Sequence, residues 1–203
     1  RKMRKADLRL LQEQIQPHFL YNTLDTIVWL IESNEPDEAV TMVVTLSDFF
    51  REILSKGKEF ISIKEEEKHI SSYLQIQEMR YRDILEYDIQ LDQVIYKYQI
   101  LKLTLQPVVE NSIFHGVGRH KIHIRLRGWL EGDTLILRVE DDGVGISKDK
   151  IDQVMNKDLQ INRVGLKNVQ ERIRLNYGPG YGLTVTGGPA GGTVVTFRLP
   201  RTR

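Results

Sequence analysis

Between residues 2 and 33 apolar side chains recur at spacings of three and four, a pattern that predicts one long helix interrupted at Pro17. Wound at ~100° per residue, this helix carries two apolar sides. One holds Leu10, Leu20, Leu24, Ile27, Val28 and Ile31; the other holds Leu8, Leu11, Ile15, Phe19, Trp29 and Leu30. A polar seam of Gln14, His18, Asp25 and Glu32, with Asn22 close by, separates them. Asn34-Glu35-Pro36 predicts a turn, and Pro36 is placed to open a second helix that ends near Ser55, ahead of Lys56-Gly57-Lys58. A hairpin of two such helices has more apolar surface than it can bury alone. A dimeric four-helix bundle is its natural completion.

The pattern then changes. A third helix is expected over 63–82, opening with the acidic run Glu65-Glu66-Glu67, which suits a helix N-terminus. Residues 84–91 alternate as a strand, and 101–115 read as an apolar helix. Segments 121–130 and 134–141 predict a hairpin around Glu131-Gly132-Asp133. Residues 142–163 read mostly as loop, 165–177 as helix, and 183–186 and 193–199 as the last strands. Of 15 glycines only Gly57 precedes residue 100. The expected fold is therefore α+β: a helical hairpin over residues 1–58, then an α/β sandwich over 59–203.

Composition narrows the function. The 203 residues are 40% hydrophobic and 28% charged, which is ordinary for a globular protein. A formal charge of +1 gives no argument for nucleic acid. With no cysteine there is no disulfide, thiol nucleophile or cysteine zinc site, which fits the cytosol. No apolar run approaches the ~20 residues of a membrane span, and no signal peptide is visible. The basic start, RKMRK at 1–5, reads either as a juxtamembrane cluster or as a solvated helix end.

Candidate chemistry lies at four places. There is no phosphate-binding G-x-x-x-x-G-K-[ST] loop and no H-R-D or D-F-G. Instead DDGVG at 141–145 ends a strand, where Gly143 and Gly145 let the backbone approach a flat ligand and Asp141 can accept from an exocyclic amine. The same residues equally describe a strand-end turn. Upstream, Asn111 and His115 stand one helical turn apart on an apolar helix, with Glu110 beside them. An asparagine oxygen suits Mg²⁺, and a neighbouring carboxylate can order a metal-bound water or act as a base; each is also an ordinary packed or solvated residue. Gly165 and Leu166 begin a helix whose first amides can face phosphates, and Lys148, Lys150, Lys157 and Arg163 precede it. Gly192-Thr193 enters the last strand.

Taken together and in this order, these elements resemble the GHKL ATP-binding fold. Asn111 matches its N box, Asp141, Gly143 and Gly145 its first glycine box, Gly165 its second, and Gly192-Thr193 its final pair. With QPHFLYN at 16–22 upstream, the chain resembles a bacterial sensor histidine kinase of the LytS/YesM type. The resemblance implies ATP and Mg²⁺ as cofactors, His18 as the phosphorylated side chain, Asn111 as the magnesium ligand and Asp141 as the adenine contact. Glu110 and Asn22 become candidate catalytic groups, and His115, Leu166 and Thr193 candidate nucleotide contacts. It further implies a homodimer, a response-regulator receiver domain as partner, and a cytoplasmic portion of a bacterial membrane protein whose spans are absent from this chain. Three departures stand out: only Gly165 remains of the fuller second glycine box, Phe19 rather than an acid follows His18, and Pro107 replaces an asparagine found in many relatives.

Two other readings share the residues. One is a degenerate, nucleotide-gated interaction module without kinase activity. The other is a GHKL ATPase clamp without a phosphoacceptor, which leaves the setting of His18 unexplained. Pro17, which removes a backbone hydrogen bond at a typical ~3 kcal/mol, is expected to bend the helix beside His18.

Overall fold

The computed structural model describes residues 17–54, 57–116, 121–143, 164–189 and 191–202. It opens with two helices, α1 (Pro17–Glu32) and α2 (Pro36–Leu54). Their junction is a sharp stop. Asn34 takes φ 61°, the Glu35 amide donates to the Leu30 carbonyl at 2.8 Å, and the Asn34 amide donates to that of Ile31 at 3.1 Å. This satisfies the last carbonyls of α1 in a Schellman pattern. Pro36 then starts α2, where no amide donor is needed. The chain before Pro17, and with it the expected bend, lies outside the described residues.

The buried line of α1 is narrower than either predicted side. Phe19, Thr23, Ile27 and Leu30 are buried, one stripe at helical spacing, whereas Leu24, Val28, Trp29 and Ile31 are exposed. Ile27 is buried as its side was expected to be, whereas its neighbours Leu24, Val28 and Ile31, and Trp29 on the other side, are not. A threonine can sit in this stripe because its hydroxyl donates to the Phe19 carbonyl at 2.7 Å.

Strand β1 (Phe60–Ser62) leads into α3 (Ile63–Arg80), whose start is a capping box. The Glu65 amide donates to Ser62 Oγ, and the Ser62 amide donates to the Glu65 carboxylate. These bonds, the backbone one foremost, hold the Glu65 carboxyl below its ordinary range. Helix α3 packs against α2 and carries the chain into β2 (Leu85–Leu91). After a 3₁₀ turn at Gln93–Ile95 come β3 (Gln99–Leu101), α4 (Gln106–Gly116), β4 (Ile122–Glu131) and β5 (Thr134–Asp141). Helix α5 (Val164–Tyr177) and strands β6 (Gly182–Gly187) and β7 (Thr193–Pro200) complete the described elements.

The main sheet has the order β2-β4-β5-β7-β6; β2 runs parallel to β4 and every other pairing is antiparallel. Alternation sends one set of side chains inward: Ile122, Ile124 and Leu126 on β4, Leu135, Leu137 and Val139 on β5, Val195, Phe197 and Leu199 on β7. Helices α3, α4 and α5 contact this sheet. Apolar residues of these helices, including Ile70, Leu74, Val109, Ile113, Val169 and Ile173, close the core. The molecule is the α+β arrangement the sequence implies.

The helix expected over 101–115 begins later, at Gln106. Gln99–Leu101 pairs with Phe60–Ser62 in a small antiparallel ladder, and a turn follows in which Leu103 adopts φ 59°. That conformation is costly for leucine. It is held by the buried carboxylate of Glu66, which accepts from the amides of Leu103, Thr104 and Leu105 at 3.1, 2.8 and 3.0 Å.

Candidate nucleotide and phosphoacceptor sites

Asp141 ends β5 directly opposite Thr193 at the start of β7. Its Oδ2 accepts from the Ser112 hydroxyl of α4 at 2.9 Å, and its Oδ1 accepts from the Gly143 amide at 3.1 Å. Burial pushes the Asp141 carboxyl above the usual range, partly offset by the Ser112 and backbone hydrogen bonds. The backbone around it has no room for larger residues. A Cβ on Gly192 (φ 79°) would lie 1.8 Å from the Asp141 carbonyl oxygen, and one on Gly143 would lie 3.1 Å from Asp141 Oδ1 and 3.5 Å from the Cα of Gly116. Strand register and these close approaches therefore bring Asp141, Gly143, Thr193 and the α4 helix together. Ser112 belongs to this group and was not singled out from the sequence; its position next to Asn111 was the available signal.

Helix α4 starts where the Glu66 clamp ends, with Pro107 in its first turn. Asn111 is buried, and among the described residues no hydrogen bond to its side-chain amide is found. Glu110 is half-buried and accepts from Gln106 Nε2 at 2.7 Å. Burial raises its carboxyl above the ordinary value, against the pull of that hydrogen bond. His115 is exposed and lies edge-on to Phe114 at 5.4 Å. Gly165 opens α5 beside Pro107, where an added Cβ would meet the proline Cβ at 3.7 Å. Leu166 is buried in the core cluster, so its side chain helps fix α5 to the sheet layer. Gly145, Lys148, Lys150, Lys157 and Arg163 lie outside the described residues.

The residue types gathered here are ones a nucleotide site can use. A half-buried carboxylate accepts hydrogen bonds at a strand end, Gly143 and Gly192 let the backbone pack closely around it, and a buried asparagine has an oxygen to offer a hard cation.

The second candidate lies on α1. His18 is exposed, next to the buried Phe19, whose ring meets Phe49 at 5.1 Å and Tyr73 at 5.2 Å. The phenylalanine anchors the helix and leaves the imidazole facing outward. Asn22, one turn along, is half-buried and lines an open groove of about 410 Å³ with Trp29, Arg80 and Arg82. Asp25 and Glu32 of the expected polar seam are exposed.

Comparison with known proteins places both halves. Residues 6–85 match the model of the family described as "Histidine kinase", and residues 97–203 match that of "Histidine kinase-, DNA gyrase B-, and HSP90-like ATPase". Sensor histidine kinase BtsS of Escherichia coli is 35% identical over 202 residues, covering 97% of this chain and 34% of the relative. Sensor histidine kinase YesM of Bacillus subtilis is 31% identical over 200 residues, covering 98% and 34%. The chain thus spans about a third of the length of these curated relatives. Among solved structures, the catalytic domain of histidine kinase ThkA superposes with a TM-score of 0.60 at 15% identity, over 72% of this chain and all of that one. Acinetobacter baumannii histidine kinase AdeS gives 0.54 at 11% identity, over 100% of this chain and 95% of that one. At these identities the superpositions speak for the fold alone.

Proposed function

The chain belongs to the histidine kinase-, DNA gyrase B- and HSP90-like ATPases, within the LytS/YesM-type sensor histidine kinases, and from that premise we propose that it is the kinase core of a two-component sensor. In this reading it phosphorylates His18 from ATP and passes the phosphoryl group to an aspartate on a response-regulator receiver domain. The observation that carries it is the pairing of an exposed histidine, beside the buried Phe19, with a separate cluster in which Ser112 and Gly143 hydrogen-bond the half-buried Asp141 carboxylate.

Asp141 would accept a hydrogen bond from the adenine amine, with Ser112 and Gly143 fixing its carboxylate and Thr193 beside it. Asn111 would hold Mg²⁺. Bound Mg·ATP would supply the transferable phosphoryl group and neutralise its charge. His18 supplies the nucleophilic nitrogen; a neutral imidazole needs no strong base to attack, unlike a serine hydroxyl. Glu110, next to Asn111 in the sequence, would order a metal-bound water or take a proton. Asn22, one turn from His18, would orient the imidazole. Gly165 would present the first amides of α5 to phosphate, with Gly145 and His115 completing the surround and Leu166 holding α5 in place from the core.

The hairpin would act as a homodimer, since Leu24, Val28, Ile31, Val40, Val43 and Val44 are exposed on α1 and α2. The unit would be the cytoplasmic part of a membrane receptor; among the described residues no helix is long and apolar enough to cross a membrane.

Incubation with γ-labelled ATP and Mg²⁺ should give acid-labile, alkali-stable label that His18→Gln abolishes. Label persisting in that variant would remove His18 from the reaction. ATP binding without label would favour the nucleotide-gated module instead.

A further inference from the structure

Helix α3 contributes a second histidine, His69, in a setting opposite to that of His18. His69 is 2% exposed and its ring stacks on Phe49 at 4.9 Å and 26°. Its Nε2 lies 2.6 Å from Gln106 Oε1, and Gln106 Nε2 lies 2.7 Å from Glu110 Oε1. The chain of bonds has one consistent direction. A carboxylate only accepts, so the Gln106 amide nitrogen must face Glu110; its oxygen then faces His69, and the imidazole proton sits on Nε2. Rotating the amide by half a turn would set two donors together at one end and two acceptors at the other. The His69 Nε2 proton therefore satisfies the Gln106 oxygen in the orientation that Glu110 selects, and adds a second anchor to it.

Packing alone does not account for this ring. His69 sits against aromatic neighbours with Nδ1 buried and without a hydrogen-bond partner among the described residues. An apolar ring would fill the same space with no unsatisfied nitrogen. The polar contact that remains is the one to Gln106. Three residues before it on the same helix, Glu66 fixes the amides of 103–105 that lead into α4. Helix α3 thus sets both the start of α4 and the side chains on its first turn.

We propose that His69 is a positioning residue for the nucleotide site: through Gln106 it holds the Glu110 carboxylate in place beside Asn111. The proposal rests on the phosphotransfer reading above. It also gives the hairpin a route to that site, because Phe49 touches both His69 and Phe19, the neighbour of His18.

His69→Phe in the full chain keeps a ring against Phe49 and removes the donor. The expected result is a roughly 10- to 100-fold lower rate of His18 labelling at saturating ATP, with ATP affinity held and the chain still folded at the assay temperature, its melting temperature lowered by the unpaired Gln106 oxygen. His69→Gln, which retains an N–H donor, should recover much of the rate. Gln106→Glu, which turns a donor facing Glu110 into a like charge, should reproduce the loss. A His69→Phe or Gln106→Glu enzyme with the wild-type rate overturns the proposal. So does a rate loss matched by lost ATP affinity, or a His69→Gln enzyme no faster than His69→Phe. An unlabelled wild-type chain overturns the phosphotransfer reading, and this proposal with it; labelled wild type beside unaffected variants overturns this proposal alone.

Discussion

The hairpin and the sandwich solve the burial problem differently. In the sandwich, the inward side chains of β4, β5 and β7 meet α3, α4 and α5 of the same chain, and even the strained turn at Leu103 is closed by Glu66 from within. The hairpin buries one stripe, Phe19, Thr23, Ile27 and Leu30 on α1 facing Met42, Leu46 and Phe49 on α2, and leaves a second apolar surface open. One region closes a two-layer core within a single copy, and the other leaves a cluster of valines, leucine and isoleucine exposed along two helices. The same division separates the chemistry: an exposed imidazole on the incomplete region, a half-buried carboxylate in the complete one.

The largest effect that tests this contrast is on assembly. Exchanging Val28 and Val43, both about half exposed, for glutamate should convert a dimer to a monomer, since each buried valine is worth roughly 1.5–3 kcal/mol. Sedimentation measures the change, and ATP affinity should hold because the sandwich needs no partner. A wild-type monomer, or a variant that stays dimeric, would break the comparison.

The next effect probes internal closure. Glu66→Gln leaves one acceptor oxygen for three amides and points an N–H₂ group toward donors, so urea unfolding should show a loss of about 2–3 kcal/mol. A change under ~0.5 kcal/mol would mean that the 103–105 turn is held by something else.

A smaller effect concerns recognition. Asp141→Asn should weaken ATP binding by about 10- to 100-fold, as one buried hydrogen-bond partner becomes mismatched. The pH dependence has a definite sign. The ionised carboxylate is the form that accepts from an amine, and burial raises its pKa. Affinity should therefore be full above that raised pKa and fall as pH drops through it, at a higher pH than for a solvated aspartate. Calorimetry across the acid range checks this, and a flat profile would take Asp141 out of the adenine contact.

Much of this was legible in the sequence where one local rule decides the outcome. Pro36 after Asn34 marks a helix stop and restart, alternation marks β4 and β5, and Asp141 before Gly143 marks the end of a strand. What escaped depends on distant partners. The strand at 99–101 exists because 60–62 lies beside it, and α4 starts at Gln106 rather than 101 because Glu66 captures three amides from another helix. The buried stripe of α1 is set by what α2 and α3 present, so periodicity alone could not separate the buried Ile27 from Leu24, Val28 and Ile31 on the same side, or the buried Leu30 from the exposed Trp29. Ser112 and His69 carry no motif of their own; only the packing of α4 against β5 and α3 reveals their bonds.

The central claim is that the open region provides the acceptor and the closed region the nucleotide. Its most direct test is mapping the phosphoryl group after incubation with Mg·ATP, by mass spectrometry under neutral to alkaline handling that preserves phosphohistidine. Phosphate is expected on the peptide containing residues 16–22, at His18, and on none of the other four histidines. Phosphate on a different residue, with His18 unmodified, would contradict it.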